Sequence, residues 1–203
     1  MNAFMMKITN LFCKAYKPEV GGIELACVVG GACIDCADEL SDFDILFVST
    51  PSTREKELWT NIGNVRVSFL GNPNWGWNIY SRLFAWFITE DQILYSTPVG
   101  HEQLDWYKAD AINAVFDWWT KHIDWVNSFL ADENAFRKEL YHFIYCWDII
   151  TEGTEKVDRA LLLKMKRGRA NNELRQWLIK VGTWVEQHWD IRLLANQNLT
   201  TAH

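Results

Sequence analysis

The sequence has no apolar run approaching the ~20 residues of a membrane-spanning helix, so a transmembrane segment is not expected. Its N-terminal apolar stretch is interrupted by Lys7 and Lys14 and has no convincing cleavage site, so a secretory leader is not expected either. There is also no internal repeat and no low-complexity segment. These absences favour an ordinary folded protein.

The chain has only five cysteines, an odd number without the spacing of a disulfide framework. Cys33 and Cys36 form a C-x-x-C pair. A redox or zinc role would need a second pair or a thioredoxin-like context, and neither is visible. The cysteines therefore predict reduced thiols and a cytoplasmic protein.

Basic residues are fewer than acidic ones: the chain has 20 Lys and Arg and 26 Asp and Glu, and its net charge is −6. This balance argues against a general affinity for nucleic acid, which needs basic surface to displace counterions from phosphates. It fits a cationic partner, or a neutral role as ordinary solvated surface. With 203 residues, 49% of them hydrophobic, the chain can bury a core in one large domain or two small ones.

The most informative segment runs from 23 to 49 and predicts two strands joined by a Gly-Gly turn and a short polar link. Side chains alternate between faces along a strand. Asp42 and Asp44 should therefore point the same way at the start of the second strand, while Phe43 and Ile45 point into a core.

Two neighbouring carboxylates repel each other unless a cation lies between them, and Mg²⁺ suits one or two carboxylates together with phosphate oxygens. Gly30 and Gly31 would let the backbone approach a phosphate closely. A metal site and a phosphate site are thus predicted side by side. The alternative is that Asp42 and Asp44 belong to a solvated loop at a strand end.

The remaining elements follow from spacing and from turn residues. Helical spacing predicts a first helix over 4–15, stopped by Pro18, and further helices over 55–60 and 78–87. Alternation predicts strands over 23–29, 44–48, 64–70 and 91–96.

Thr97, Pro98, Val99 and Gly100 are the best candidate domain boundary, because the hydrophobic period beyond them becomes helical. Four helices are predicted there, with apolar stripes over 112–130, 136–150, 157–165 and 174–188. The fold class predicted is α+β, with a small mixed sheet domain over 1–100 followed by a helical bundle domain over 101–203.

The Gly30-Gly31 turn followed by Ser41-Asp42-Phe43-Asp44 and an apolar strand resembles the nucleotidyltransferase superfamily. The order of a sheet domain and then a helical domain is similar to aminoglycoside nucleotidyltransferases of the kanamycin type. The resemblance implies that Asp42 and Asp44 bind Mg²⁺ and that Gly30, Gly31 and Ser41 contact a nucleoside triphosphate.

The activity implied is transfer of a nucleoside monophosphate, AMP from ATP in the first instance, to a hydroxyl of a small molecule such as an aminoglycoside. The expected partners are the nucleoside triphosphate and this acceptor, with a homodimer as one option for assembly. Neither a membrane nor a nucleic acid is an expected partner.

Arg66 stands where many members of the family have a third acidic residue. A guanidinium can bind the triphosphate or a neighbouring carboxylate, but it cannot ligate a metal. Two hypotheses follow: an enzyme with fewer carboxylate ligands, or a catalytically silent binding module, for instance of a toxin–antitoxin or defence pair. Nucleotide transfer to protein or RNA is a third.

In the kanamycin type the general base comes from the helical domain, and Glu139 and His142, three residues apart on the second predicted helix, are the candidates. The alternative is a solvated glutamate and a hydrogen-bonded histidine.

Asp110, Asp117 and Asp124 are a heptad apart on the first predicted bundle helix and should share one face. Together with tryptophans they would suit a polycationic sugar, although a solvated helix face has the same pattern.

A basic cluster accompanies a predicted helix end and consists of Lys164, Lys166, Arg167 and Arg169. We interpret it as charge favoured by the helix dipole, with a phosphate or RNA contact as the alternative.

Overall fold

A computed structural model describes residues 3–34, 41–49, 57–63, 65–72, 79–153 and 156–189. The chain forms two compact units, residues 1–108 and 109–203. The first contains a small mixed sheet with helices and the second is helical where it is described, so the protein is α+β. Within the described ranges, no helix is both long enough and apolar enough to cross a membrane.

The first unit combines short helices with five described strands. Its strands are β1 Ile23–Val29, β2 Phe43–Ser49, β3 Glu57–Ile62, β4 Val65–Asn72 and β5 Ile93–Ser96. Its helices are α1 Ala3–Tyr16, α2 Pro18–Gly21, α3 Ile79–Ala85 and α4 Pro98–Ala109, with 3-10 turns at Gly30–Ile34 and Glu90–Gln92.

The strands lie in the order β3-β4-β2-β1-β5, with β2 parallel to β4 and the other neighbours antiparallel. The predicted strands 23–29, 44–48, 64–70 and 91–96 are confirmed in β1, β2, β4 and β5, with small shifts at their ends. The sheet's mixed character is confirmed as well.

The helix predicted over 55–60 is wrong, because β3 occupies Glu57–Ile62. This strand pairs antiparallel with β4, and Gly63 in the turn between them has a φ of +62°. Only six residues were available for that helix, and pairing with a neighbouring strand outweighs so weak a local preference.

Strand β1 is buried on both faces, which explains its nearly continuous apolar sequence. Ala26 and Val28 belong to a core cluster with Ile8 and Phe12 of α1. The residues on its other face, Leu25, Cys27 and Val29, form a second cluster with side chains of β2, α4 and the end of α3. The sheet therefore has helices against both faces.

Thr97, Pro98 and Gly100 form the beginning of α4. Thr97 Oγ1 accepts a hydrogen bond of 3.1 Å from the Gly100 N–H, so Thr97 caps the helix and Pro98 takes its first position. The Thr97 N–H also donates to the Glu24 carbonyl oxygen at 2.9 Å, which fixes the start of α4 to β1.

In the second unit the described helices are α5 Ala111–Lys121, α6 Ile123–Ala131, α7 Arg137–Glu152, α8 Arg159–Lys166 and α9 Asn171–Gln187. Helix α7 contacts each of the other four, and Phe143 to Ile150 are buried without interruption. Trp118 of α5 stacks on Phe143 with 3.8 Å between the ring centroids. Helix α7 is thus the centre of this unit's core.

The predicted stripe over 112–130 lies on two helices, so the expectation of one continuous helix is wrong. His122 separates α5 from α6, with φ −118° and ψ 22°. Its Nδ1 lies 2.9 Å from the Trp118 carbonyl oxygen, and its ring packs on Trp125 at 4.2 Å. These local contacts stabilise a break that hydrophobic spacing alone does not reveal.

Candidate functional site

The end of β1 and the start of β2 lie side by side. Val29, the last residue of β1, pairs with Asp44. The next residue, Gly30, is buried and has a φ of +79°. A Cβ atom at Gly30 would lie 2.9 Å from Asp44 Oδ2, so the carboxylate occupies the space that a side chain would fill. The predicted glycine turn and the predicted carboxylate are therefore direct neighbours.

The predicted alternation at the start of β2 is confirmed for its apolar members. Phe43 and Ile45 belong to the α1-side core cluster, and the Phe43 ring meets Phe4 edge-on at 5.3 Å. Asp44 pairs with Val29, a residue of the opposite cluster, and is half-buried. Asp42 precedes the strand and is half-buried too.

The pKa of the Cys33 thiol reflects the charges at this end of β1. Burial raises its pKa, and the neighbouring Cys27, Asp44 and Asp91 raise it further. Cys33 Sγ donates to the Val28 carbonyl oxygen at 3.0 Å. Cys33 therefore stays protonated, and the carboxylates of Asp44 and Asp91 make this end of the strand electronegative.

Asp91 is an acidic residue that sequence reasoning missed. It lies in the 3-10 turn just before β5, the strand that pairs with the other edge of β1. Thr89 and Gln92 form a capping box around it, and that Thr-x-x-Gln spacing was visible in the sequence. Its position beside the β1 end depended on the strand order, which no local pattern reveals.

Gly31 and Ser41 flank a part of the motif that lies outside the described residues. Gly31 is in the 3-10 turn Gly30–Ile34, and Ser41 is half-buried just before β2. Residues 35–40, including Cys36, fall outside the described ranges. The roles of Gly31 and Ser41 in nucleotide binding stay predictions.

Arg66 is exposed on β4, where it pairs with Asn61 of β3. Phe43 pairs with Val67 in the parallel ladder of β2 and β4, so Asp42 and Arg66 each stand one residue before a paired position. This places Arg66 at the same end of the sheet as Asp42. Among the described residues there is no group of three or more metal-ligating side chains, so two aspartates remain the predicted metal ligands.

Glu139 and His142 lie within one turn of each other on α7, and both are half-buried. The His142 ring packs between Tyr141 and Tyr145, with centroid distances of 5.3 and 5.8 Å. Their position beside the buried stripe agrees with the sequence pattern. Their role as a general base stays a prediction.

The expectation that Asp110, Asp117 and Asp124 share one helix face is wrong, because Asp110 precedes α5 and the break at His122 places Asp124 on a different helix from Asp117. Asp110 precedes α5, is 5% exposed and accepts a hydrogen bond from Asn113 Nδ2 at 2.8 Å. Asp117 is half-buried in α5, and Asp124 is exposed in the first turn of α6. Their contact with an acceptor substrate stays a prediction.

No protein-family model matches this chain, and no curated protein matches it either. The function of the chain must therefore be inferred from its own residues.

Proposed function

We propose that the protein is a metal-dependent nucleotidyltransferase that transfers a nucleoside monophosphate, AMP from ATP in the first instance, to a hydroxyl of a small molecule. The observation that carries the proposal is the contact between Gly30 and Asp44. A buried glycine with positive φ lies against a carboxylate at the end of a strand. Such an arrangement lets a phosphate approach the backbone beside a metal ligand.

The proposed site needs residues that bind the metal ion and residues that bind the triphosphate. Asp42 and Asp44 would hold Mg²⁺, and Gly30 with Gly31 would give the triphosphate access to the backbone. Arg66 would bind a phosphate oxygen as a permanent cation. Bound Mg²⁺ supplies charge neutralisation for the phosphates and makes the acceptor hydroxyl more acidic.

In the proposed reaction the acceptor hydroxyl oxygen attacks the α-phosphorus and forms a new P–O bond. The bond to the β-phosphate breaks, and pyrophosphate leaves with its electron pair. The hydroxyl proton passes to a base, for which Glu139 and His142 are the candidates. An acceptor of the aminoglycoside type is the first to test.

A second candidate function is a catalytically silent module that binds nucleotide without turning it over. Arg66 is the observation that favours it, because a guanidinium at this end of the sheet cannot replace a third carboxylate ligand. Nucleotide transfer to a protein or an RNA is a variant of the enzymatic hypothesis with a larger acceptor.

Pyrophosphate release tests the proposal, with Mg²⁺, ATP and a panel of aminoglycosides, lincosamides and a cell extract as acceptors. The wild-type protein should release pyrophosphate with at least one acceptor. Gly30→Ala should lower the rate by about 10²-fold, because a Cβ displaces the Asp44 carboxylate and misplacements of this size are costly in active sites.

Gly63→Ala is the matched control, since Gly63 also has positive φ but a Cβ there meets nothing within 4 Å. It should retain nearly the full rate. Equal losses in the two variants would mean that backbone strain, rather than the carboxylate, is responsible. Nucleotide binding without pyrophosphate release in any mixture would favour the silent module.

A further inference from the structure

Positive charge is concentrated in one segment of this acidic protein. Residues 156–175 hold seven of the chain's 20 basic residues and two of its 26 acidic residues. The segment therefore has a net charge of +5, whereas the rest of the chain has −11. So uneven a distribution needs a physical explanation, because like charges close together repel each other.

Helix α8 ends within this segment in a compact backbone turn. Gly168 has a φ of +68°, the conformation expected directly after a helix end. Three carbonyl oxygens of the last turn accept backbone N–H groups: Leu163 from Arg167 at 3.2 Å, Met165 from Gly168 at 3.0 Å and Lys164 from Arg169 at 2.8 Å. The main chain thus caps its own helix.

Arg137 of α7 adds the remaining cap. Its Nη1 donates to the carbonyl oxygens of Met165 and Lys166 at 2.9 and 2.8 Å. The carbonyl groups at the end of α8 therefore have partners, and one guanidinium already lies at the negative end of the helix dipole. Stabilising this helix end does not require four further cations.

Those four cations are Lys164, Lys166, Arg167 and Arg169, which we call the α8 turn cluster. Lys164 and Arg169 are exposed, and within the described parts of the chain neither forms an ion pair. The backbone hydrogen bonds at Gly168 and Arg169 hold the turn that presents them. The turn thus holds Lys164 and Arg169 at the surface, next to the half-buried Lys166 and Arg167.

We propose that the α8 turn cluster binds the phosphodiester backbone of a nucleic acid. Lysine and arginine gain affinity for a strand by releasing its condensed counterions. There is no aromatic residue between 164 and 169 on which a base could stack, so binding should be independent of sequence. The net charge of −6 does not prevent it, because charges more than ~8 Å away are largely screened at physiological salt.

The test measures fluorescence anisotropy of labelled single-stranded RNA and DNA of equal length against the full chain. Four phosphate contacts predict a salt slope of about −2.8 for a single strand, so binding should weaken about 50-fold between 50 and 200 mM salt. The RNA and DNA arms show which backbone is preferred. Tighter binding of either strand is consistent with the proposal.

Lys164→Glu combined with Arg169→Glu should weaken binding at least tenfold and reduce the slope by about 1.4. The matched control is Lys7→Glu with Lys14→Glu, which changes the net charge equally at two exposed positions of α1. It should lower affinity less than threefold. If the glutamate pair unfolds the protein, Lys164→Gln with Arg169→Gln provides the same comparison.

Three results would overturn the proposal. The first is the absence of binding at 50 mM salt, and the second is an equal loss of affinity in the α1 control. The third is displacement of the RNA by polyglutamate at the same concentration of charge, which would identify an acidic protein surface as the partner.

Discussion

Asp110 and Asp148 are both buried carboxylates, but they have different neighbours. Each is 5% exposed, and Asp110 has a hydrogen bond from Asn113. Burial raises the pKa of Asp148 to about 6, against a lowering contribution from Lys180 and a further raising contribution from Glu152. Lys180 interacts with an aromatic ring as well as with Asp148, because its Nζ lies over the Trp147 ring at 5.2 Å from the centroid.

Asp148 should therefore make stability depend on pH. The folded protein binds this proton more tightly than the unfolded chain, so the free energy of unfolding should fall as pH rises from about 4 to about 6. Asp148→Asn should remove that loss and stabilise the protein by roughly 2–3 kcal/mol at pH 7.5, with little gain at pH 4. Urea unfolding at the two pH values measures this change in the free energy of unfolding. A variant less stable than the wild type at pH 7.5 would contradict the prediction.

At the residue scale, sequence patterns could identify Asp42, Asp44 and Gly30, because glycine turns and carboxylate pairs are local features. They could not show that Gly30 lies against Asp44, since that contact depends on the antiparallel pairing of β1 with β2. They also gave no sign of the burial of Asp110. Contacts between segments far apart in sequence need the register of the sheet.

At the element scale, the start of α4 depends on a close contact with β1. A Cβ at Gly100 would lie 1.9 Å from the Glu24 carbonyl oxygen. Gly100→Ala should therefore destabilise the protein by roughly 3 kcal/mol, the upper part of the range for overpacked cores, because two main chains would have to separate. Chemical denaturation measures the change.

Gly182→Ala is the comparison for this prediction. Gly182 lies inside α9, and a Cβ there would meet only the edge of the Trp119 ring at 3.2 Å. Alanine also favours helix by about 1 kcal/mol over glycine, so the net effect should be small. Equal destabilisation by the two substitutions would show that the contact between α4 and β1 has no special role.

Element prediction succeeded where a pattern is long and failed where it is short or interrupted. Helices α7 and α9 are 16 and 17 residues long, more than four turns each, and both are confirmed. The segment of β3 is six residues long, and its strand state comes from pairing with β4. The break between α5 and α6 lies at His122, whose ring nitrogen contacts the Trp118 carbonyl oxygen, and the apolar spacing on its two sides gives no sign of it.

At the scale of the whole molecule, the two units differ in secondary structure and in the charged groups they contain. The unit of residues 1–108 contains the sheet with Asp42, Asp44 and Gly30, and the helical unit contains the α8 turn cluster. The α+β class could be predicted from the change of hydrophobic period along the chain. The order of the strands could not, because the parallel pairing of β2 with β4 joins segments separated by β3.

We propose that Asp42 and Asp44 bind a metal ion together with a nucleoside triphosphate. Mg²⁺ with ATP should raise the melting temperature, since a ligand at 100 times its Kd stabilises by about 2.7 kcal/mol. Glu102→Gln with Asp105→Asn, a control that removes two exposed carboxylates of α4, should keep the shift.

The most direct test is the same melting experiment on Asp42→Asn combined with Asp44→Asn. We expect this variant to fold and to melt at a temperature independent of Mg²⁺ and ATP, unlike both the wild type and the Glu102, Asp105 control. A full shift in the double variant would show that the two aspartates do not bind the metal ion.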